Sequence, residues 1–298
     1  MPSPCLPTRG SPSVSQNDST TFPEQVGEHY DRLAPVYLKL WGPSLHHGLW
    51  EQHSPLAIDG GPARLLDLLA APLELNSGNR LIDIGCGYGT DAHRLAGKNH
   101  VHATGLTISR SQATTAAELP PPVHGSVDII HGDWLQNNFA CGSFDAALAI
   151  ESLAHMPDKM AFFRELARTL VPGGRAALSC WTAVPDPSAV ESLLLKYLCH
   201  TGALASIETL ENYCQLANGA GLELVKRSDL TTRVKPTWTH LARQSLASSR
   251  SPRFLSKALP LILRRPTLPG AIPAMLLAYH TGVLRYEAIW LRKMRPAA

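Results

Sequence analysis

Through the middle of the chain, short apolar runs alternate with segments whose apolar residues recur every three or four positions. The first pattern is typical of buried β-strands and the second of helices that pack on them. Their alternation predicts a parallel sheet with helices on both faces. The predicted strands are 80–84, 101–105, 127–131, 144–150, 175–181, 222–229 and 285–291. Helices are expected near 91–97, 109–118, 158–170 and 207–220.

Helical patterns also flank this core. Residues 25–40 place apolar side chains at helical intervals, and Pro35 is expected to break or kink that helix. A second helix is expected at 62–70, after the loop WGPSLHHGLW of residues 41–50. The expected fold is a doubly wound α/β fold with a mostly parallel, seven-stranded sheet. It has an N-terminal helical lid and a helical cap inserted before the last strand.

The length of 298 residues fits one elaborated α/β domain. Residues 1–24 are rich in Pro, Ser and Thr and lack an apolar face, so we expect them to be disordered. Residues 25–298 are expected to form one domain. We divide it into a lid (25–75), a core (76–234), a basic cap (235–284), and the last strand with a tail (285–298).

Composition excludes several classes of protein. With 44% hydrophobic and 17% charged residues, the chain is neither disordered throughout nor collagen-like. No apolar stretch approaches the roughly 20 residues that span a bilayer. The six cysteines form no CxxC or Cys/His cluster, so we expect no metal site, reduced thiols and a cytoplasmic location. One Arg, several hydroxyls and no acid before Asp18 leave an organelle transit peptide as the alternative.

The net charge of +3 conceals a strong asymmetry. Residues 226–298 contain 14 of the 27 Lys and Arg, and their only acids are Asp229 and Glu287. A segregated basic surface suits an anionic ligand, a membrane or a nucleic acid, and equally a solvated face beside an acidic domain. The segment has few aromatic residues and no recognised nucleic-acid motif. We therefore expect no nucleic acid partner, and at most weak contact of the cap with a membrane surface.

The segment LIDIGCGYGTD, residues 81–91, carries the strongest chemical signal. An apolar strand runs into glycines at 85, 87 and 89 before a helix, which lets a ligand approach the backbone at the end of the strand. The third glycine comes one position too early for GxGxxG, and no GxxxxGK(S/T) sequence occurs. NAD, FAD and P-loop sites are therefore disfavoured. Asp83 ends the buried strand, where a carboxylate needs a hydrogen-bond or cationic partner.

This segment resembles motif I of the class I S-adenosylmethionine (SAM)-dependent methyltransferases, which implies a Rossmann-like fold and SAM as cofactor. ATGLTISRSQ at 103–112 is similar to the GxTxSxxQ variant of small-molecule methyltransferases, tocopherol-type enzymes and cyclopropane fatty acid synthases. HGDW at 131–134 and FDAALAIESLAHMPD at 144–158 match later motifs. The resemblance implies that these residues contact SAM: Tyr30, Asp83, Gly85, Cys86, Gly87, Gly89, Thr107, Ile108, Gln112, Gly132, Asp133, Trp134 and Ile150.

Over roughly residues 26–292 the chain is similar to bacterial small-molecule methyltransferases of antibiotic pathways, the rebeccamycin sugar O-methyltransferase group. The resemblance implies two catalytic residues, Glu151 beside the methionine part of SAM and His155 as general base. The aromatic and histidine residues expected at the substrate are Tyr37, Trp41, His46, Trp50 and Trp181. The chain departs from the group at Ala154, where a second His is typical, and at Cys180, where an Asp is typical.

Three functions remain open from the sequence. We favour O-methylation of a hydroxylated secondary metabolite with His155 as base. The first alternative is C-methylation of an isoprenoid or lipid-like acceptor. There Glu151 would stabilise a carbocation, and Arg264 and Arg265 would clamp a diphosphate. The second alternative is a cyclase or scaffold that binds SAM without transferring its methyl group.

Overall fold

A computed structural model describes residues 21–50 and 60–295 of the chain. The helices are α1 (Phe22–Leu40), α2 (Gly61–Ala70), α3 (Thr90–Asn99), α4 (Arg110–Ala117), α5 (Lys159–Thr169), α6 (Ala189–Gly202), α7 (Leu210–Gly219), α8 (Thr231–Val234), α9 (Pro236–Ser248), α10 (Pro252–Arg264) and α11 (Ala271–Thr281). The strands are β1 (Arg80–Ile84), β2 (His102–Thr107), β3 (Ser126–His131), β4 (Phe144–Ile150), β5 (Leu170–Ala183), β6 (Leu222–Asp229) and β7 (Leu284–Lys293). Turns of 3-10 helix lie at Ala71–Leu73, Trp134–Gln136, Leu153–His155 and Leu268–Gly270.

The seven strands form a sheet in the order β3-β2-β1-β4-β5-β7-β6. Strands β1 to β5 are parallel, and β7 is antiparallel to its neighbours β5 and β6. The expected mostly parallel, seven-stranded, doubly wound fold is confirmed. Along β4, Ala146 and Leu148 join one core cluster while Ala147 and Ala149 join the other. The sheet is therefore buried on both faces, as parallel strands require.

The order of the strands places a crevice between β1 and β4. Strands β2 and β3 continue from β1 toward one edge, whereas β5 continues from β4 toward the other. Open α/β sheets bind ligands where the strand order reverses in this way. Gly85 follows β1 with a φ of 82°, and a Cβ on it would lie 2.5 Å from the Cβ of Ser152, which follows β4. Only glycine allows the two loops to approach so closely.

Helix α1 begins three residues earlier than predicted. The backbone N–H of Thr21 donates a hydrogen bond of 2.7 Å to the carboxylate of Glu24, and Pro23 lies in the first turn. Both features favour the start of a helix at this point. Phe22 to Glu24 therefore belong to the lid helix and not to the expected disordered tail. Residues 1–20 of that expected tail lie outside the described residues.

Of the break or kink predicted at Pro35, the break does not occur, because α1 continues through this residue. Val26 and Leu33 before the proline and Leu40 after it are all buried. The apolar side of α1 thus packs on the protein on both sides of Pro35, and this packing offsets the loss of one backbone hydrogen bond.

Helices α9 to α11 form the cap between β6 and β7, where the sequence predicts it. Leu241 of α9 and Ala274, Met275 and Ala278 of α11 join the same core cluster as β4 and β7. The cap is consequently packed into the domain. Across residues 21–50 and 60–295, no helix combines the length and apolarity that a membrane span needs.

The cysteines meet expectation only in part. Cys86, Cys180, Cys199 and Cys214 are free thiols, whereas Cys141 is disulfide-bonded. The prediction that every cysteine is reduced is therefore wrong at Cys141.

The close contact between α1 and the core gives a first prediction. A Cβ on Gly27 would lie 2.7 Å from the carbonyl oxygen of Ile108, so Gly27→Ala must push the lid helix away from the core. We expect the free energy of unfolding to fall by about 1–3 kcal/mol, measured by urea denaturation. In the matched control Gly97→Ala, on α3, the nearest atom is 3.6 Å away and stability should stay level or rise. Equal losses in the two variants would contradict this packing.

Candidate functional site

A cavity of about 430 Å³ lies at the carboxyl ends of β1 and β4 and is closed by α1 and the cap. This volume is in the usual range for small-molecule sites. Fifteen of the residues that the sequence places in the site line this cavity: Tyr30, Tyr37, Trp41, Gly85, Gly87, Thr107, Ile108, Gln112, Gly132, Asp133, Trp134, Ile150, Glu151, His155 and Trp181. The lid, the glycine loop (residues 85–89) and the strand ends thus meet at one place.

Two residues expected at the substrate lie elsewhere. His46 forms an ion pair of 2.9 Å with Asp91, and His47, the next residue, lines the cavity in its place. Trp50 is buried, and its indole N–H donates to the hydroxyl of Thr237 at 2.8 Å. Neither His46 nor Trp50 lines the cavity. Both side chains fasten the loop of residues 41–50 to the rest of the domain.

Three residues expected at the cofactor lie behind the lining. Asp83 is buried at the end of β1, and Cys86 is buried against Gly105. Gly89, with a φ of 73°, is the N-cap of α3. These residues shape the glycine loop, and Gly85 and Gly87 face the cavity.

The carboxylate of Glu151 is the most heavily bonded group in the site. Its Oε1 accepts hydrogen bonds from the backbone N–H of His47 at 2.8 Å, from Nδ1 of His47 at 2.9 Å, and from the hydroxyl of Tyr286 at 2.7 Å. Burial works to raise the pKa of Glu151, but its interactions with His47 and the charge of His46 hold that pKa below the usual range. Glu151 is therefore a carboxylate held ready in the cavity wall. Its φ of 57° is unusual for a residue with a side chain.

The cap fixes the direction of the bond between His47 and Glu151. The indole N–H of Trp238 lies 2.6 Å from Nε2 of His47. An indole N–H can only donate, so Nε2 must accept and the ring proton sits on Nδ1. The hydroxyl of Tyr279 is also within 3.2 Å of the same Nε2. His47 therefore presents an N–H to Glu151.

His155 is held in the tautomer that a general base requires. Its Nδ1 lies 2.9 Å from the carbonyl oxygen of Ala203, which can only accept, so Nδ1 carries the proton. Burial lowers the pKa of His155 to about 4, and the charge of Lys159 contributes. The ring is therefore neutral at pH 7, and the lone pair of Nε2 faces the hydroxyl of Tyr30 at 2.9 Å.

A second histidine joins the lid to the cap. Nδ1 of His29 lies 2.8 Å from Nη1 of Arg265. Since guanidinium only donates, His29 accepts there and its Nε2–H points to the hydroxyl of Tyr37 at 2.9 Å. The pKa of His29 is lowered to about 3, mainly by burial, with contributions from the neighbouring His155 and Arg265. Arg265, which the sequence offers as a diphosphate clamp, is used in this contact.

The segment after β2 is ordered by hydrogen bonds to the lid. The hydroxyl of Thr107 donates to Oε1 of Gln112 at 2.7 Å. Asp31 of α1 accepts from the hydroxyls of Ser109 and Ser111 at 2.5 and 2.8 Å. Burial works to raise the pKa of Asp31, but these bonds hold it below the usual range. Thr107 and Gln112 thus form a neutral hydrogen-bonded pair in the cavity wall.

Buried polar atoms beside the glycine loop still need partners. Within the described residues, Oδ2 of Asp83, the hydroxyl of Tyr88 and the hydroxyl of Ser152 are buried without a hydrogen bond. Burial and the nearby Asp91 raise the pKa of Asp83 to about 8. A cationic ligand would stabilise the Asp83 carboxylate. A Cβ on Gly87 would meet no atom within 4 Å, so the glycine loop also has room for a ligand. The residues present therefore fit SAM, whose sulfonium is positively charged.

The part of the cavity wall that α10 and α11 contribute is apolar. Phe254, Ala258 and Leu261 of α10 and Ile272 and Met275 of α11 line it. No Lys or Arg occurs among the described lining residues. The predicted clamp by Arg264 and Arg265 is therefore wrong, because the basic residues of the cap do not face this cavity.

Sequence reasoning missed several residues of the site. His47, Trp238, Tyr279 and Tyr286 were not selected, although Trp238 and Tyr279 lie against the imidazole of His47 and Tyr286 bonds to Glu151. The adjacent pair His46-His47 indicated that this loop belongs to the site, but the sequence did not show which of the two imidazole rings faces the cavity. Cys180, at the position of the missing Asp, is fully buried, and burial raises the pKa of its thiol.

Comparison with known proteins places the chain among methyltransferases. Residues 82–178 match the model of a family described as a methyltransferase domain. The 27-O-demethylrifamycin SV methyltransferase of Amycolatopsis mediterranei is 36% identical over 224 residues, which are 74% of this chain and 82% of that protein. The chloroplastic tocopherol O-methyltransferase of Arabidopsis thaliana is 26% identical over an alignment of 312 residues, which covers 96% of this chain and 87% of that protein.

Among solved structures, the chain is similar to the [4+2]-cyclase SpnF. The TM-score is 0.77 and the sequence identity 27%, and the match covers 92% of this chain and 97% of that chain. One fold thus serves methyl transfer in some relatives and ring closure in another, so the choice between them depends on the residues of the site.

The ion pair of His46 with Asp91 predicts a pH-dependent part of the stability. Burial works to lower the pKa of His46, but Asp91 outweighs it and raises the pKa to about 9. Because the pKa of His46 is higher in the folded protein than in the unfolded chain, where it is about 6.5, the ion pair stabilises the folded protein fully below pH 6.5. This stabilisation is lost as the pH rises through 9. Urea denaturation should show a decline of about 3 kcal/mol between pH 6.5 and 9 that His46→Asn lacks.

The exposed histidine of β2 supplies the matched control. His102→Asn removes a ring that bonds only to the hydroxyl of Ser126, so this variant should keep the decline of the unaltered protein. If His46→Asn and His102→Asn declined alike between pH 6.5 and 9, the ion pair would not be its source.

Proposed function

The chain belongs to the family of SAM-dependent methyltransferases, and on that premise we propose that it methylates a hydroxyl group of a small, largely apolar acceptor. SAM supplies an electrophilic methyl group on a sulfonium sulfur. The protein must then hold the acceptor oxygen in line with that methyl group, exclude water and remove the hydroxyl proton. Each of these tasks has residues in the cavity that suit it.

The observation that carries the proposal is the state of His155. Its proton is fixed on Nδ1 by the carbonyl of Ala203, and its Nε2 lone pair faces the cavity. The hydroxyl of Tyr30 lies 2.9 Å from Nε2, which is the distance at which a base accepts a proton from an alcohol. In the complex, the acceptor hydroxyl would take this position or reach Nε2 through Tyr30.

Tyr30 supports this arrangement as a neutral hydroxyl. Burial raises its pKa above the usual range, and Tyr37 and Glu151 add to the effect. A phenol that stays protonated can donate to Nε2 or to the acceptor oxygen and does not compete as a base. Because Tyr30 lies on α1, closure of the lid over the cavity also sets the geometry of the base.

The other polar residues of the cavity suit the cofactor. We propose that Glu151 faces the positively charged end of SAM, that Asp83 stabilises this charge from behind the glycine loop, and that the glycine loop supports the amino acid part of SAM. Thr107, Ile108 and Gln112 would surround the ribose and Asp133 the adenine, with Trp134 against the ring. Gly132 and Ile150 complete that surface. This assignment rests on the positions of the residues in the cavity wall and on the family's motifs.

The apolar lining that the cap contributes indicates which kind of acceptor fits the cavity. The lining contributed by α10 and α11 carries no charge, which favours a neutral and largely apolar molecule such as a secondary metabolite. Tyr37, Trp41 and Trp181 would contact it, with Trp238 from the cap. A nucleic acid would not fit a cavity of this size, and we propose a small-molecule acceptor.

C-methylation of an isoprenoid stays the second candidate because Glu151 is a buried carboxylate among aromatic rings. It could stabilise a carbocation. The absence of Lys and Arg from the described lining counts against a diphosphate acceptor. A cyclase without methyl transfer is the third candidate, since the chain resembles SpnF in structure. Incubation with labelled SAM and separate pools of apolar alcohols, phenols and prenyl diphosphates distinguishes them by the pool that becomes labelled.

The role of His155 predicts the effect of its removal. With an acceptor from that screen, His155→Ala should lower kcat by roughly 10²–10⁴-fold, because proton removal loses its base. SAM affinity, measured by calorimetry, should change little. Because the pKa of His155 is about 4, its protonation should not reduce the rate of the unaltered protein until the pH approaches that value.

The exposed His200 of α6 provides the matched control, and His200→Ala should leave kcat unchanged. A His155→Ala protein that turned over at the normal rate while binding SAM normally would remove the base from the mechanism. Binding of SAM with no labelled product in any pool would favour the cyclase.

The pKa of Asp83 predicts a proton coupled to SAM binding. At pH 7 a carboxyl group with a pKa of about 8 is mostly protonated, and a bound cation favours the carboxylate. Binding should therefore release roughly one proton per SAM, seen as a dependence of the calorimetric heat on the buffer. Asp83→Asn should abolish this release and weaken binding about tenfold.

Asp128 on β3 is exposed and serves as the control for this experiment. Asp128→Asn should retain both the proton release and the affinity. If Asp83→Asn released as many protons as the unaltered protein, the proton would come from another group.

A further inference from the structure

Helix α10 leaves a row of apolar side chains in solvent. Leu255 is 43% exposed, Leu259 53%, Ile262 36% and Leu263 72%. Their spacing places them together on one side of the helix. We call these four residues the apolar ridge. An isolated exposed leucine is ordinary, but four large aliphatic residues side by side on one helix mark an interaction surface.

The inner side of the same helix is already occupied. Phe254, Ala258, Leu261 and Ile262 line the cavity, and Ala258 is buried. Ile262 thus lies at the boundary between the two faces, and the three leucines of the apolar ridge are additional to the face that holds α10 in the domain. A helix that is apolar on its inner face and on part of its outer face needs a second apolar environment to cover the outer part.

The charges around the apolar ridge identify that environment. The outer side of α10 also carries Arg253, Lys257 and Arg264, which are exposed. They lie along the edge of that side away from the apolar ridge. Among the described residues, none of these three takes part in an ion pair. Residues 235–284 contain seven Lys and Arg and no Asp or Glu. The outer side of α10 is thus apolar and cationic together.

We propose that the outer side of α10 docks on the surface of an anionic lipid bilayer. A helix with an apolar face beside Lys and Arg lies in the plane of such a surface, with its leucines at the level of the acyl chains and its cations at the headgroups. A protein partner would need acidic groups to match the cations. An anionic membrane presents both properties over an extended area.

Docking would also explain why the cavity and the apolar ridge share one helix. The residues that face the cavity and those of the apolar ridge lie on adjoining sides of α10, so a molecule dissolved in the bilayer would meet the wall of the cavity directly. This consequence rests on the proposed apolar acceptor, whereas the docking itself does not. The binding test below contains neither SAM nor acceptor, and the tests of methyl transfer contain no vesicles, so failure of one leaves the other standing.

The test is sedimentation of the full-length protein with vesicles of phosphatidylcholine alone and of phosphatidylcholine mixed with phosphatidylglycerol. We expect binding to the mixed vesicles only, and release at high salt. Leu259→Gln with Leu263→Gln should reduce the bound fraction roughly tenfold or more, because neither residue lines the cavity and the change removes only the exposed leucines. Lys257→Glu with Arg264→Glu should reduce it similarly.

The matched control changes two equally exposed apolar residues elsewhere. Val190 is 78% and Leu193 68% exposed on α6, and Val190→Gln with Leu193→Gln should bind the mixed vesicles normally. Circular dichroism shows that each variant is folded. Lack of binding by the unaltered protein, or equal binding by the leucine variant, overturns the proposal. A dimer that the same leucine variant dissociates in size-exclusion chromatography also overturns it, since the apolar ridge would then join two copies of the chain.

Discussion

The buried carboxylate of Glu151 is the constraint on which the site depends. A charge at that depth is costly unless several donors face it. The three donors come from the loop of residues 41–50 and from β7, and Glu151 itself, directly after β4, has a left-handed backbone conformation. Because His47 must also be oriented by Trp238 of the cap, one acidic oxygen ties together parts of the chain that are far apart in sequence. Displacement of any one of these parts would therefore leave the Glu151 carboxylate or the His47 ring without one of its partners.

The lid helix α1 is connected to the rest of the domain by a second set of hydrogen bonds, which does not involve Glu151. Asp31 fastens α1 to the segment after β2, and His29 fastens it to Arg265 after α10. Tyr30, between these two anchors, faces His155. The proposed cofactor segment after β2 and the proposed base His155 are thus linked through one helix, whose start is set by Thr21 and Glu24 and whose close approach to the core depends on Gly27.

Much of the fold could be predicted from the sequence because its strands are buried and bounded by glycines and polar residues. Strands β1, β4 and β6 have the predicted bounds, and the cap lies in the predicted place. The glycine loop and most of the lining residues could also be predicted, since motifs are local. The network around His47 could not, because Trp238, Tyr279 and Tyr286 reach it from about 190 to 240 residues away. Which histidine of the pair at 46 and 47 faces inward depends on these distant partners.

The position of β7 has a consequence for the order of assembly. This strand follows the cap in the chain, yet it lies between β5 and β6 in the sheet. During synthesis β6 emerges first but has no neighbour until β7 is made, and the Tyr286 hydroxyl that bonds to Glu151 arrives with β7. A nascent chain that has already formed β1 to β5 therefore exposes a sheet edge and an incompletely partnered carboxylate. The catalytic pocket becomes complete only when the final strand is inserted, so unfinished chains cannot carry a finished site.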